Sequence, residues 1–269
     1  MFSPAFVARL GLALLLLVGT GVAAHAFEIA PHRAVYDLSF AGAKNNSQVV
    51  DVTGAMEFDW EDACDGWSVT QRTAMSFSYQ SGETVNLGWN LVTWESKDGL
   101  RYRFFIRNLE NGEVKEEYRG EARLDGPGRG GVANYTVPEG RKIQLPAGTL
   151  FPTAHTIALL KHIEAGDSFL WATIFDGFDE DGISDISAVV TKSLATETAA
   201  GGRSPLLSAG PSNRVHLAFF DHSGSSSEPE HEQQLRLHMN GVVESMVLDF
   251  GEFSVEGKLK ELKPLKPPC

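Results

Sequence analysis

The feature that constrains this chain most is an alternation of apolar and polar residues at a period of two, broken in one segment by helical spacing. In Ala34–Phe40 the residues Tyr36, Leu38 and Phe40 share one parity, the pattern of a strand buried on one face. The pattern recurs in Ala55–Trp60, Trp67–Tyr79, Val85–Trp94, Leu100–Ile106, Glu113–Leu124 and Gly131–Val137. It resumes in Phe169–Phe175, Ile183–Leu194, Arg214–Phe220, His231–His238, Gly241–Phe250 and Phe253–Leu262. Asn111-Gly112, Asp125-Gly126 and Ser81-Gly82 fall between runs and supply the positive backbone angles of tight hairpins. An antiparallel meander follows from this pattern.

The exception is Phe151–Gly166. Ala154, Ile157, Ala158, Leu160 or Lys161, and Ile163 recur at helical intervals, Pro152 and Thr153 open the segment and Gly166 ends it. It is expected to form one helix of about three turns, apolar enough to be buried by the strands around it. Thr196–Asn213 and His222–Glu230 are poor in apolar residues and are expected to be exposed loops. Lys258–Pro268 is basic and Pro-rich and is expected to run extended along the surface.

The first residues carry Arg9, then an apolar run to Val22, then small residues at Ala24 and Ala26, the layout of a secretory signal cleaved after Ala26. A membrane anchor is the alternative, but the run is short of the ~20 residues that span a bilayer. Residues 1–26 are therefore read as a cleaved signal peptide and residues 27–269 as one β domain of an exported chain. The chain has 23 basic and 35 acidic residues, a net charge of -12, and losing Arg9 makes it more negative. Such a surface repels phosphate backbones, which excludes nucleic acid as an expected partner.

Two cysteines occur, Cys64 and Cys269. An even count in an exported chain favours a disulfide, with two free buried thiols as the alternative. The bond would fasten the last segment over the first sheet and hold the sheet closed.

A search for chemistry finds little. Asp176–Asp185 is acidic, but an EF-hand reading leaves Gly177 and Ala188 where essential carboxylates belong, so it is expected to be a hairpin turn. His155 and His162 lie two helical turns apart, too far to share one ion without loop ligands. Asp221-His222-Ser223 is contiguous, so its side chains fan apart instead of forming a relay, and there is no G-x-S-x-G elbow. No catalytic residue, metal site or cofactor is expected. Trp60, Trp67, Trp89, Trp94 and Trp171, with Phe77, Tyr79, Phe104 and Phe105, are expected to line in part a concave face around the helix, either as plain core or as an apolar cleft for a lipid-like or peptide ligand.

The stretch HRAVYDL at His32–Leu38 resembles the EipB family of alphaproteobacterial cell-envelope integrity proteins. The likeness continues through EFD at Glu57–Asp59, CDGW at Cys64–Trp67, LPAGTLFPTAH at Leu145–His155, FDG at Phe175–Gly177, DED at Asp179–Asp181 and the terminal Cys269. It implies a periplasmic protein whose spiral or open-barrel sheet wraps around one central helix, a conserved disulfide, and a shape like the lipoprotein carriers LolA and LolB. It also implies a role in envelope integrity under stress, with a tetratricopeptide-repeat protein as a type of partner. His32, Arg33, Tyr36 and His155 fall on its motifs, so His32, Arg33, His155, Trp67, Trp89 and Trp94 are the candidate binding residues. The expected function is non-enzymatic support of the envelope by binding a protein partner. The alternative is a carrier of a lipid or lipoprotein acyl chain, and an envelope hydrolase ranks last.

Overall fold

The computed structural model describes residues 29–179, 181–194, 204–208, 210–224, 226–266 and 269. The candidate signal 1–26 lies outside them.

The first half is a run of hairpins: β1 (His32–Ala43), β2 (Val49–Asp62), β3 (Gly66–Tyr79), β4 (Thr84–Ser96), β5 (Arg101–Glu110), β6 (Glu113–Leu124), β7 (Gly131–Val137) and β8 (Lys142–Leu145). Helix α1 (Pro152–Ala165) follows. The second half is β9 (Phe169–Phe175), β10 (Ile183–Leu194), a short α2 (Pro205–Ser208), β11 (Ser212–Asp221), β12 (His231–His238), β13 (Val243–Asp249) and β14 (Phe253–Pro264). All fourteen strands form one antiparallel sheet in the order β8-β7-β6-β5-β4-β3-β2-β1-β14-β13-β12-β11-β10-β9. The two meanders therefore meet at β1, paired on one side with β2 and on the other with β14.

The free edges are β8 and β9, and the sheet curls to bring them together in a nearly closed, barrel-like form. The connection into α1 spans this seam. Leu150 makes a parallel bridge to Ile174 of β9, its N–H donating to the Thr173 carbonyl at 2.9 Å and its carbonyl accepting from the Phe175 N–H at 3.0 Å. The fold class read from the sequence is the one observed.

Alternation decides which side of each strand faces inward. On β1, His32, Ala34, Tyr36 and Leu38 are buried while Asp37 and Ser39 are exposed. The inward residues form three clusters. One holds Trp60, Trp67, Leu159 and Leu160 with strands β9 to β12. A second is aromatic, with Tyr102, Phe104, Tyr118, Tyr135, Phe151 and Phe175. The third surrounds Tyr36, Met56, Met75 and Val255. Burying each large side chain contributes roughly 1.5–3 kcal/mol, so these clusters supply the main driving force.

Helix α1 starts at Phe151 with no capping side chain of its own and ends at Gly166, whose φ of 84° is the left-handed C-cap that glycine adopts without a Cβ penalty. Its buried residues are Thr153, His155, Leu159 and Leu160, with Ile157 and Ile163 packed against the first cluster.

Three expectations need correcting. β8 and α2, the latter inside a stretch expected to be an exposed loop, leave no mark in the pattern, because four residues each are too short to show a period. The basic tail does more than run extended along the surface: Lys258–Pro264 belongs to β14, two residues beyond the strand end read at Leu262, and pairs with β1, Pro264 opposite His32. And although the disulfide is present, Cys64 to Cys269 with Cα atoms 5.9 Å apart, it does not close the sheet. It ties the end of β14 to the β2–β3 turn across the adjoining end of β1, in the middle of the strand order and far along it from β8 and β9.

Candidate functional site

Strands β2 to β6 carry most of the residues singled out from the sequence, and the structure distributes them over two faces. On the inner face, His32 is almost fully buried, its Nδ1 2.7 Å from the Ala30 carbonyl oxygen and its ring 5.9 Å from Phe58 and 6.3 Å from Trp60. Burial holds its pKa below the ordinary histidine value, against the opposing effects of the Ala30 carbonyl and Asp59. Trp60 meets Trp67 edge-on at 6.3 Å, so His32, Trp60 and Trp67 form one group.

Next to that group stands a residue that sequence reasoning missed. Glu95 lies opposite Trp67 in the β3–β4 register and is only 3% exposed. Its two carboxylate oxygens accept the Thr153 and Ala154 backbone N–H groups, each at 2.8 Å. These are the donors a helix leaves unsatisfied in its first turn, so β4 supplies the cap that α1 lacks. Desolvation raises the Glu95 pKa to about 7 despite those hydrogen bonds. Two residues along α1, His155 is also buried, its pKa lowered to about 4 by desolvation, and its Nε2 has no hydrogen-bond partner among the described residues. The signal for Glu95 was present: it shares the inward parity of Trp89, Leu91 and Thr93.

Trp89, Leu87 and Leu91 sit on that inward parity yet remain half-buried, as do Phe58 and Val69 on the neighbouring strands. They pack beside the clusters and leave part of the inner face accessible.

The outer face is different. Trp94 and Trp171, expected on the concave side, point outward. Trp94 is five residues from Trp89, and an odd separation on an unbroken strand puts two side chains on opposite faces. Trp171 alternates with buried Ala172 and is 52% exposed, beside Phe169 at 55%. Arg33 is outward too, in a half-exposed ion pair with Glu57 at 3.0 Å. Of the candidate residues the structure thus groups His32 and Trp67, places His155 on the helix and Trp89 further along the inner face, and puts Arg33 and Trp94 outside.

The acidic stretch after β9 is a hairpin turn, as expected: the Asp176 and Asp179 carboxylates accept the N–H groups of Phe178, Asp181 and Gly182. Among the described residues no group of His, Cys, Asp and Glu is arranged to hold a metal ion, and no helix is long and apolar enough to cross a membrane.

A single barrel-like antiparallel sheet, with a plug of aromatic side chains and one 14-residue helix packed against its core, defines the class of the protein. This chain belongs to the EipB-like family, whose sequence profile matches residues 23–266. It is 30% identical over 250 residues to the cell envelope integrity protein EipB of Brucella abortus (strain 2308), covering 91% of this chain and 87% of that protein. It also superposes on the crystal structure of a beta-barrel-like protein of a domain of unknown function from Brucella abortus, with a TM-score of 0.82, 28% identity, and coverage of 90% of this chain and 100% of that one. The kinship supports a role in cell-envelope integrity.

Proposed function

We propose that this chain is a non-enzymatic periplasmic protein, exported by residues 1–26 and cleaved after Ala26, that supports the envelope by binding another envelope protein. The observation that carries this reading is where the side chains go. Three clusters of the chain's own residues occupy much of the interior, while Trp94, Phe105, Trp171 and Phe169 stand on the outside. A tetratricopeptide-repeat protein is the type of partner that the family resemblance suggests. Deleting the gene is expected to sensitise cells to detergents and to antibiotics that act on the cell wall, with rescue by the exported chain. Unchanged resistance would overturn the reading.

A second reading rests on the half-buried inner residues Phe58, Leu87, Trp89 and Leu91. Their accessible apolar surface suits an acyl chain, as in a lipid or lipoprotein carrier. Native mass spectrometry of protein taken from its own periplasm, with labelled-lipid exchange, tests it; no bound lipid and no exchange would sink it.

A further inference from the structure

The outer face of β4, β5 and β6 carries a feature at odds with the acidic chain. Arg101, Arg103, Arg107, Arg119 and Arg123 all point outward there, with Glu117 and Glu121 as the interspersed acids. Two aromatic rings lie among them. The guanidinium carbons of Arg101 and Arg103 sit 5.5 and 4.9 Å from the Trp94 ring centre, and those of Arg107 and Arg119 each sit 4.7 Å from that of Phe105. Cross-strand register produces this, setting Trp94 beside Arg103 and Phe105 beside Arg119. Arg107 is paired with Glu117 at 2.7 Å. Arg103, Arg119 and Arg123 make no ion pair with a carboxylate among the described residues. Further along, the acids of the hairpin tip are occupied locally, Glu113 by Lys115 and Glu116 by the Asn108 amide.

Stacking on a ring fixes the plane of a guanidinium and leaves its N–H edges free to grip a carboxylate with two hydrogen bonds. Between the two stacks lies an open groove of about 600 Å³. Val92, 44% exposed, Trp94 and Phe105 give it an apolar floor, and Arg103 and Arg119 line it. Glu121, Asn134 and Thr136 lie along one side. A ligand recognised by charge alone, such as an anionic lipid surface, gains nothing from the floor and is opposed by Glu121. A peptide fits every part: carboxylates for the arginines, apolar side chains for the floor, and backbone N–H groups for Glu121, Asn134 and Thr136.

We infer that this arginine–aromatic groove is a docking surface for an extended acidic segment of a partner protein, one whose Asp or Glu residues alternate with apolar ones. The inference rests on the protein-binding reading above and names its surface.

The test uses the mature chain and a fluorescein-labelled peptide of alternating Glu and Leu. Anisotropy is expected to report binding that weakens with salt and perturbs Trp94 emission. Arg103→Glu with Arg119→Glu is expected to weaken it by roughly tenfold or more, while Lys258→Glu with Lys263→Glu on β14 leaves it unchanged. Arg103→Gln with Arg119→Gln provides a milder pair, and equal melting temperatures show that the fold is intact. No binding of this peptide, equal binding of a Lys–Leu peptide, or affinity unchanged in both arginine variants would overturn the inference. So would phosphatidylglycerol-vesicle binding that is lost in Arg103→Glu with Arg119→Glu while the peptide fails to bind, which would make the face a membrane contact. In cells the two ideas separate: a deletion strain with normal resistance defeats the envelope role, whereas a sensitive deletion fully rescued by the Arg103→Glu, Arg119→Glu chain defeats only this surface.

Discussion

The middle of the sheet and its seam are held by different means. Where the two meanders meet, β2, β1 and β14 share long antiparallel ladders, the β1–β14 one carrying two bulges, and the Cys64–Cys269 bond spans their end. At the seam, β8 and β9 share no ladder, and closure rests on the bridge at Leu150 and on aromatic packing. Phe151 stacks on Tyr102 at 5.1 Å and meets Phe175 at 6.4 Å, while the Tyr102 and Tyr135 hydroxyls donate to the Asp176 and Asp179 carbonyls. The covalent link therefore lies where the backbone is already paired. Its effect must fall mainly on the unfolded chain, and the seam depends on native contacts alone.

Removing the link gives the largest expected effect. Cys64 and Cys269 are 205 residues apart, and opening that loop returns on the order of 5 kcal/mol of chain entropy to the unfolded state. Cys64→Ser with Cys269→Ser is expected to lower the melting temperature and raise protease sensitivity, with circular dichroism and hydrogen-exchange protection of β8 and β9 preserved. Selective loss of protection at the seam would show that the bond closes the sheet after all.

Breaking the seam is expected to do the converse. Phe151 is fully buried in the aromatic cluster, and Phe151→Ala should cost about 3–5 kcal/mol through the cavity it leaves. Hydrogen exchange should accelerate first in β8, β9 and the first turn of α1, with the β1–β14 ladder still protected. Uniform acceleration across the sheet would mean that seam and centre unfold as one unit.

How much of this was legible depends on the range of the contacts. Period-two alternation located most of the strands, and the i, i+3, i+4 spacing with Pro152 and Gly166 located α1, because both signals are local. The alternation marks β14 as a strand as far as Leu262, but its pairing with β1 is a contact across nearly the whole chain that nothing in Phe253–Pro264 announces. Register is equally invisible from one strand. The stacking of Arg119 on Phe105 depends on which residues face each other across β5 and β6. Glu95 is the instructive case, since its parity was readable but its partners, 58 and 59 residues away, were not.

Glu95 also ties the centre to the seam, joining β4 to the start of α1, and its removal should have a smaller effect with a pH signature. Its folded pKa of about 7 lies above the ordinary 4.5, so the stabilisation it gives is complete below about pH 4.5 and lost as the pH rises through 7. His155 runs the opposite way: its folded pKa of about 4 lies below 6.5, so its contribution is complete above pH 6.5 and lost as the pH falls towards 4. In the wild type the two partly offset each other on acidification. Glu95→Gln leaves His155 unopposed, so the variant's melting temperature should fall further than the wild type's between pH 7 and 4.5, by a difference worth on the order of 3 kcal/mol. Parallel pH profiles would rule out the buried carboxylate as the titrating group.

The smallest expected effect returns to the stapled end. Lys97 Nζ lies 2.9 Å from the Asp62 carboxylate and 3.2 Å from the Trp67 ring centre, and the same Asp62 oxygen accepts the Cys64 N–H at 2.9 Å. Burial is the largest single influence on the Asp62 carboxyl and raises its pKa, but the hydrogen bonds from Lys97 and Cys64 and the Lys97 charge together outweigh it and hold the carboxyl below its usual value. The Lys97 and Asp62 side chains remain partly exposed, at 35% and 24%, so Lys97→Gln should cost only about 0.5–1 kcal/mol. Its use lies in the double variant. If the pair and the stack position the β2–β3 turn for Cys64, the reduced chain should re-form its disulfide more slowly with Lys97→Gln than without it, and the difference should shrink in high salt. A reoxidation rate independent of Lys97 would mean that the β1–β14 ladder alone brings Cys269 to Cys64.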